Sequence, residues 1–477
     1  MTETFYFYDT ETSGTKPSAD RIMQFAGIRT TLDLQPIGEP DEMLIKLTSD
    51  VLPEPYAVMV HGITPQQTLE DGITEVEFCR YFEDHIAVPG TIFVGFNNIR
   101  FDDEFIRYTL YRNFYEPYEW QWKNGRGRWD ILDALRMTRA LRPEGIEWPF
   151  DDKGGPTVRL EKMTAANNIS HDNAHSALAD VQATIDVARL IKDAQPKLFS
   201  YLFAMRHKKD VGQFIANNEM FVYSSGKYKG EYLKTSVVYP LLAHPKREAT
   251  IVYDLRVDPT PFLKLNVQEL TKAWRAKKED PIERLPIKTL QHNRSPAIAP
   301  ISVLNKESQE RIQINMSDVQ RNLDVLKANQ EFRIRVAEAL GILDEQQEQT
   351  RLQVVDVDAE LYNSFWNDNE RRQLMQIRNH APATLADLLP KIENKRIQRL
   401  LPLYKARNYS EFLTPEEHDA YEMYRAEKLL SGGELSIFGK FMVHMQDIAS
   451  NTTDPKVQYL LTELQLYAES ILPIHEM

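Results

Sequence analysis

The sequence predicts three successive parts: an α/β domain, a β-rich segment and an α-helical C-terminal part. Over the first 196 residues, runs that alternate apolar and polar residues, as strands do, are interleaved with runs at helical spacing. Short β-branched and aromatic runs separated by Gly, Pro and Lys turns then occupy residues 217–265. From about residue 351 the apolar residues recur at helical spacing, and RLQVVDV is the one strand candidate in that part. We therefore expect domains at 1–196, 197–350 and 351–477.

Length and composition indicate a multidomain protein without membrane contact. A chain of 477 residues with 42% hydrophobic content can bury several cores. No window approaches about 18 uninterrupted apolar residues, and no basic region followed by an apolar run begins the chain, so we expect a cytoplasmic protein. The single cysteine, Cys79, excludes an internal disulfide framework and is expected to be buried.

Charge is distributed unevenly along the chain. The net charge is −13, but residues 197–300 hold 18 Lys and Arg against 10 Asp and Glu, a surplus of eight positive charges. A basic middle segment in an acidic chain favours a local anion-binding surface. Chance clustering of the basic residues is the alternative.

The first strand, FYFYDTETSG (5–14), contains two carboxylates. Its alternation predicts one buried face, and a period of two places Asp9 and Glu11 on the same face. Two neighbouring carboxylates repel each other unless a cation lies between them, and two-metal phosphoryl-transfer sites are built from such pairs. Taken alone, such a pair at the end of a strand is usually just solvated.

A second acidic segment follows a later strand. The strand TIFVGF (91–96) leads into NNIRFDD (97–103) and then into EFIRYTLYRNF at helical spacing. Asp102 and Asp103 therefore follow the carboxyl end of a strand, where open α/β sheets place their ligands. Alternatively, these two residues stabilise the N-terminus of the helix through their charge.

A third segment, NAHSALADVQATIDVARLIKDA (173–194), predicts a helix with Ser176 as its N-cap. His175 precedes the first turn, and Asp180 lies about one and a half turns further along. A base on a flexible lead-in beside a fixed metal ligand suits the activation of water, because histidine with a pKa of about 6.5 accepts protons at cellular pH. A lone histidine before a helix is usually an ordinary surface residue, but the three segments together favour a site.

In this order, the three segments resemble the exonuclease motifs of the DEDD superfamily, and the H-x₄-D spacing of His175 and Asp180 resembles its histidine-containing branch. HGIT (61–64) is also similar to a loop that many members carry. Further stretches resemble the bacterial exonuclease I family: GFNNIRFDDE, RNFYEPY, ALRPEGIEWP, VRLEKMTAANNI, QPKLFSYLF, LYNSFW and YKARNY. The resemblance implies an α/β RNase-H-like exonuclease domain, a small SH3-like β-barrel domain and an α-helical C-terminal domain. It also implies processive 3′→5′ hydrolysis of single-stranded DNA to 5′-mononucleotides, in DNA repair or recombination.

The same resemblance assigns roles to the acidic residues. Asp9, Glu11, Asp102 and Asp180 would hold two divalent ions, with Glu11 also touching substrate, and His175 would deprotonate the attacking water. An all-oxygen site favours Mg²⁺, for which Mn²⁺ can substitute, over zinc. The Phe-Asp order selects Asp102 over Asp103, which we expect to face the helix dipole instead.

Aromatic and arginine residues are interleaved between the second and third motifs, as in proteins that hold single strands without reading their sequence. Core packing is the alternative, and for Trp129 it is the preferred interpretation. The resemblance implies DNA contacts by Arg107, Tyr118, Trp122, Arg136 and Arg159.

The resemblance also implies a protein partner, the acidic C-terminal tail of the single-stranded-DNA-binding protein. Arg142 and Tyr201 occupy matching positions, and Lys327 stands where the family carries an arginine. Another family arginine is replaced by Asn305, and ordinary surface roles for all four residues are the alternative. We expect the protein itself to be a monomer.

Two other functions are alternatives to a single-strand exodeoxyribonuclease. A proofreading subunit or an RNA 3′-trimming enzyme would use the same nuclease domain, but the roughly 280 residues after 197 argue against such a bare nuclease. A non-catalytic strand-binding protein would have no use for clustered acids, which cost stability when nothing offsets their charge.

Overall fold

The computed structural model of the protein describes residues 3–171, 176–277, 279–353 and 356–473. Its N-terminal part is a five-stranded sheet with helices on both faces. Its elements are β1 (Thr4–Thr12), β2 (Ile22–Thr30), β3 (Asp41–Leu44), α1 (Pro55–His61), α2 (Pro65–Asp71), α3 (Glu75–Tyr81), β4 (Thr91–Gly95), α4 (Asp102–Arg112), β5 (Gly127–Asp130), α5 (Ile131–Leu141), α6 (Leu160–Ala166) and α7 (Ala177–Ala194). The α/β prediction for this part is confirmed.

The first strand lies at the centre of the sheet, in the order β3-β2-β1-β4-β5. It pairs antiparallel with β2 and parallel with β4. Its alternation separates two cores: Phe5 and Phe7 belong to a cluster with residues of α5 and α7, whereas Tyr6 and Tyr8 pack with the aromatic residues of α3 and α4. Cys79 is fully buried on the α3 side, as expected.

The middle part contains a second five-stranded sheet, antiparallel throughout, with the order β10-β6-β7-β8-β9. Its elements are α8 (Pro196–Ala204), α9 (Lys208–Asn217), β6 (Phe221–Ser224), β7 (Thr235–Ala243), β8 (Ala249–Asp254), α10 (Val267–Arg275), β9 (Ile287–Gln291), β10 (Ala297–Pro300), α11 (Lys306–Arg311), α12 (Met316–Ala328) and α13 (Gln330–Leu352). The three runs read as strands form β6, β7 and β8. The sequence reading missed β9 and β10, which are short and lack strong alternation.

The C-terminal part is helical, as predicted. Its elements are α14 (Asp368–Arg378), α15 (Lys395–Asn408), α16 (Pro415–Leu430), α17 (Ile437–Asn451) and α18 (Pro455–Ile471), with 3₁₀ turns at Val357–Tyr362 and Pro382–Lys391. The strand expected at RLQVVDV is wrong over its described residues, because α13 continues to Leu352 and Val357 begins a 3₁₀ turn. Val357 and Leu361 bury their side chains against Tyr111 of α4, which favours the turn. Among the helices of the described residues, none is long and apolar enough to cross a membrane.

A buried network of charged groups joins the C-terminal part to the nuclease domain. Its members are Arg21, Asp50, Glu75, Arg112, Asp358, Arg407 and Lys428. Arg407 donates from Nη1 and Nη2 to the two carboxylate oxygens of Asp358, at 2.9 and 2.8 Å, and Arg21 donates to the same carboxylate at 3.0 Å. Burial alone would raise the pKa of Asp358, but Arg407 and Arg21 outweigh it and lower that pKa. The network therefore fixes the C-terminal part against the sheet.

We expect Asp358→Asn to lower the free energy of unfolding by about 3–5 kcal/mol, because it leaves buried guanidinium groups uncompensated. Urea unfolding followed by circular dichroism measures this loss. The matched control is Glu248→Gln, which breaks the exposed Lys208–Glu248 pair (52% and 61% side-chain exposure) and should cost less than about 1 kcal/mol. Equal losses in the two variants would show that the network does not hold the domains together.

Candidate active site

Carboxylates from three separate segments meet at one edge of the first sheet. Strand β1 presents Asp9 and Glu11 on one face, as their spacing predicted, and α7 presents Asp180. One carboxylate oxygen from each of these three residues lies within 4.8 Å of the other two. Asp102, at the start of α4, is close enough to raise the pKa of Asp9. The structure thus brings together all four acidic residues that the sequence singled out.

Asp102 is held in place by the strand beside it. Its Oδ1 accepts hydrogen bonds from the Thr10 backbone nitrogen at 3.1 Å and from the Thr10 hydroxyl at 2.6 Å. The turn before α4 packs tightly on β4, since a Cβ added at Gly95 would lie 2.6 Å from the Cβ of Asn98. Asn98 in turn donates its amide to the Tyr8 hydroxyl at 3.2 Å. The NxxFD motif therefore anchors the start of α4 to β1 and β4.

Burial and mutual repulsion raise the pKa values of Asp9, Glu11 and Asp102. Burial, followed by the charges of Asp102, Glu11 and Asp180, raises the pKa of Asp9 well above its usual range. Burial, followed by Asp180 and Asp102, raises the pKa of Glu11 to about 8. Burial also raises the pKa of Asp102 to about 7, although its hydrogen bonds from Thr10 oppose the shift. A buried cluster made of carboxylate oxygens fits a divalent cation, which would offset this repulsion.

A histidine that the sequence reading missed contacts this cluster. The Nε2 of His171 lies 2.5 Å from Asp180 Oδ1, and its Nδ1 lies 3.2 Å from the Thr164 hydroxyl. His175, which the sequence reading chose as the base, lies outside the described residues. Ser176 occupies the N-cap position of α7, but its side chain makes no capping hydrogen bond. His171 belongs to the same HDNAH segment, but its spacing to Asp180 differs from the H-x₄-D spacing of the motif.

The carboxylates open into a cleft of about 490 Å³ between the nuclease domain and the second sheet. Arg136 and Arg159 line this cleft together with Asp9 and Asp180. Lys234, which directly precedes β7, lines it from the other domain. The two domains are in close contact beside it, because a Cβ added at Gly226 would lie 3.0 Å from Arg136 Nη1. The cleft is therefore lined by both acidic and basic groups.

Comparison with known proteins assigns the whole chain. Residues 6–188 match the family model for exonuclease, residues 206–341 that for the exonuclease I SH3-like domain, and residues 355–471 that for the exonuclease I C-terminal domain. Exodeoxyribonuclease I of Haemophilus influenzae is 42% identical over 432 residues, which cover 89% of this chain and 90% of that one. The chain belongs to the exonuclease I family.

Solved structures of exonuclease I share this fold. The enzyme of Methylocaldum szegediense superposes with a TM-score of 0.91 at 42% identity, covering 98% of this chain and 100% of that one. The zinc-bound complex of Escherichia coli exonuclease I with single-stranded DNA superposes with a TM-score of 0.90 at 36% identity, covering 99% and 100%. The RNase-H-like, SH3-like and helical parts expected from the sequence are thus confirmed as parts of an exonuclease I.

Two of the expected DNA contacts lie in a second group apart from the cleft. The Arg107 guanidinium lies 6.0 Å from the ring centre of Tyr118 and donates to Gln121 at 2.6 Å. Tyr118 meets Phe365 of the C-terminal part edge to face, with ring centres 5.2 Å apart. Phe365 is 76% exposed, and the sequence reading missed it, although its LYNSFW segment carried the family resemblance. An aromatic surface is thereby formed by two domains.

Trp122, Trp129 and Asp103 differ in how deeply they are buried. Trp122 is 63% exposed, whereas Trp129 is buried against Phe5, Phe199 and Phe203, which confirms core packing for Trp129. Asp103 is fully buried, and its carboxylate accepts hydrogen bonds from Tyr8 and Arg128. Its charge is therefore balanced by a partner and not by the helix dipole alone.

Two of the three residues expected to bind a protein tail, Arg142 and Lys327, are engaged within the chain. Arg142 donates to the carbonyls of Leu141 at 2.6 Å and Val303 at 3.0 Å. Lys327 pairs with Glu219, and Asn305 caps α11 by accepting a hydrogen bond from the Ser308 nitrogen. Burial raises the pKa of Tyr201 to about 12.

The raised pKa of Glu11 has a measurable consequence for the metal-free protein. Glu11 keeps its proton up to about pH 8 when folded but only to its ordinary value of 4.5 when unfolded. Folding therefore favours the protonated form, and this contribution to stability is lost as pH rises between those two values. We expect the unfolding temperature in chelator to fall over this range less in Glu11→Gln than in the parent protein.

A divalent cation should remove this loss of stability with rising pH in the parent protein, because it offsets the repulsion between the ionised carboxylates. Thermal unfolding followed at about pH 5 and about pH 9, with chelator and with Mg²⁺, measures both effects. Asp186→Asn, which lies on α7 beside Arg189, is the matched control. Identical pH dependence in the Glu11→Gln and parent proteins would contradict the assignment.

Proposed function

We propose that this protein is a processive, divalent-metal-dependent 3′→5′ exodeoxyribonuclease that degrades single-stranded DNA to 5′-mononucleotides. The observation that carries the proposal is the cluster of four carboxylates beside a cleft that basic residues also line. Acidic groups of this kind hold metal ions, while arginine and lysine side chains attract a phosphate backbone. Membership of the exonuclease I family supports the same reaction.

Different residues of the chain would have different roles in hydrolysis. Asp9, Glu11, Asp102 and Asp180 would hold two Mg²⁺ ions, which Mn²⁺ can replace. When bound, such ions stabilise charge on the attacking and leaving oxygens of an in-line displacement. Thr10 would keep the Asp102 carboxylate oriented. His175 would accept the proton of the attacking water.

We expect substitution of any one cluster acid by its amide to abolish hydrolysis and leave the protein folded, since the change removes charge repulsion. His175→Ala should lower turnover by about 10²–10⁴-fold. The assay follows mononucleotide release from 3′-labelled and 5′-labelled single-stranded DNA, with duplex DNA and RNA for comparison. Asp186→Asn on α7 should behave as the parent protein. Full turnover in chelator, or normal activity of Asp9→Asn, would overturn the proposal.

The second domain would hold the strand between cuts. Lys234 lines the cleft, and Lys227 stands near Arg100, Arg294 and Arg284, where burial followed by those charges lowers its pKa. Phosphate contacts of this kind ignore base identity, so they suit continuous movement along a strand. The half-buried ring of Tyr118 and the exposed rings of Phe365 and Trp122 would stack on bases.

We expect Lys227→Glu and Lys234→Glu to shorten each run of digestion more than they slow each cut. The effect should shrink as salt screens the contacts. Lys229→Glu is compared with these two variants, because the charge of Lys229 already has a partner within the chain. Its Nζ lies 3.4 Å from a carboxylate oxygen of Glu231. An experiment with a DNA trap counts nucleotides released per binding event. Unchanged run lengths with a reduced single-turnover rate would exclude this role.

A protein partner follows from the family resemblance: the acidic C-terminal tail of the single-stranded-DNA-binding protein, bound by Arg142, Tyr201 and Lys327. Lys327 would have to exchange Glu219 for the tail. We expect calorimetry with a tail peptide to detect binding at low salt and Arg142→Ala to weaken it. A folded protein that binds no peptide under these conditions would refute the partnership.

We further propose the domain limits 1–196, 197–350 and 351–477, a monomeric state, and a cytoplasmic location with a role in DNA repair. Light scattering on the purified protein tests the monomer, and a stable dimer at assay concentrations would contradict it.

A further inference from the structure

The first turn of α4 carries three consecutive acidic residues, and each of them contacts a different part of the molecule. Asp102 belongs to the carboxylate cluster, as described above. Asp103, buried beneath it, binds Tyr8 and Arg128. Glu104 lies 3.6 Å from Arg294 of the SH3-like domain and accepts a hydrogen bond from the hydroxyl of Tyr362 in the C-terminal domain. One helical turn therefore connects the metal cluster with both accessory domains.

Arg128 makes the buried part of this connection. Its Nη1 donates to Asp103 Oδ2, and its Nη2 donates to the backbone carbonyl of Asn293 at 2.6 Å. Asn293 lies in the turn between β9 and β10 of the SH3-like domain. In return, the hydroxyl of Ser295 from that turn donates to the Arg128 carbonyl at 3.1 Å. The side chain of Arg128 is 8% exposed and that of Asp103 is fully buried, so neither group exchanges its partners for water.

Tyr8 supplies the second fixed donor to Asp103. It lies on β1 directly before Asp9, and its hydroxyl donates to Asp103 Oδ1 while accepting the amide of Asn98 at 3.2 Å. Asp103 is thus held from β1 on one side and from β5 on the other. Because Asp102 and Asp103 are consecutive in a helical turn, fixing the buried carboxylate also fixes the backbone that presents its neighbour.

We propose that Arg128 is a positioning residue for the metal cluster, which it links to the SH3-like domain through Asp103 and the Asn293 carbonyl. The inference rests on the proposed nuclease function. Its consequence is that the domain that holds the strand also sets the position of Asp102. A metal site tolerates little displacement of its ligands, and loss of supporting groups typically costs about 10- to 100-fold in metal affinity or activity.

Arg128→Lys is the decisive variant, because a lysine keeps the charge but its single nitrogen cannot reproduce the planar two-armed bridge. We expect manganese affinity, measured by calorimetry on the DNA-free protein, to fall about 10- to 100-fold. The single-turnover cleavage rate at saturating DNA and low metal should fall with it. The Kd for a single-stranded oligonucleotide in chelator should change less than about twofold, since the Arg128 side chain is only 8% exposed and its two arms are bonded within the protein.

Tyr8→Phe removes the other donor to Asp103 without changing charge, and it should show a smaller loss of the same kind. It also decides the question if Arg128→Lys does not fold. The control is Arg311→Lys, because Arg311 also joins the two domains, through the Ala140 carbonyl at 2.9 Å, but contacts no residue of the α4 first turn among the described bonds. This control should match the parent protein.

Unchanged manganese affinity in both Arg128→Lys and Tyr8→Phe would overturn the inference, as would equal losses in Arg311→Lys. Failure of the parent protein to cleave DNA would instead contradict the proposed function. The manganese titrations would then still decide whether Arg128 positions the cluster.

Discussion

Electrostatic repulsion among buried carboxylates is the constraint on which this structure depends. Asp9, Glu11, Asp102 and Asp180 come from three segments that are far apart in the chain. Burial and mutual repulsion make the ionised forms of Asp9, Glu11 and Asp102 unfavourable. The fold must therefore hold them together against their own charge. It does so with a central strand between two aromatic cores and with a helix start bound to that strand through Thr10.

The accessory domains are built around this cluster and are not merely attached to the nuclease domain. The SH3-like sheet shares a continuous apolar core with α5 and α7, and it closes one wall of the cleft. The C-terminal helices are fixed by the buried charge network around Asp358 and by an apolar cluster against α1. Basic groups thus reach the cleft from one side, while Phe365 joins Tyr118 on another part of the surface.

Charge distribution explains how an acidic protein can bind a polyanion. The net charge of −13 is an average over a chain whose middle segment is basic. Under the proposed function, a nucleic acid in the cleft would meet the local set of Arg136, Arg159 and Lys234, and this local field would govern association.

The sequence by itself determined the order of the three parts, most of their strands and helices, and the four acids. It could do so because alternation and helical spacing are local patterns, and because motif spacing records which strand or helix end carries each acid. It misjudged RLQVVDV, since burial of Val357 and Leu361 against α4 depends on contacts distant in sequence. Only the tertiary structure decided the partner of Asp103, the contact of His171 with Asp180, and the meeting of Phe365 with Tyr118. Each of these joins segments whose separation in space follows from domain packing, which no local pattern encodes.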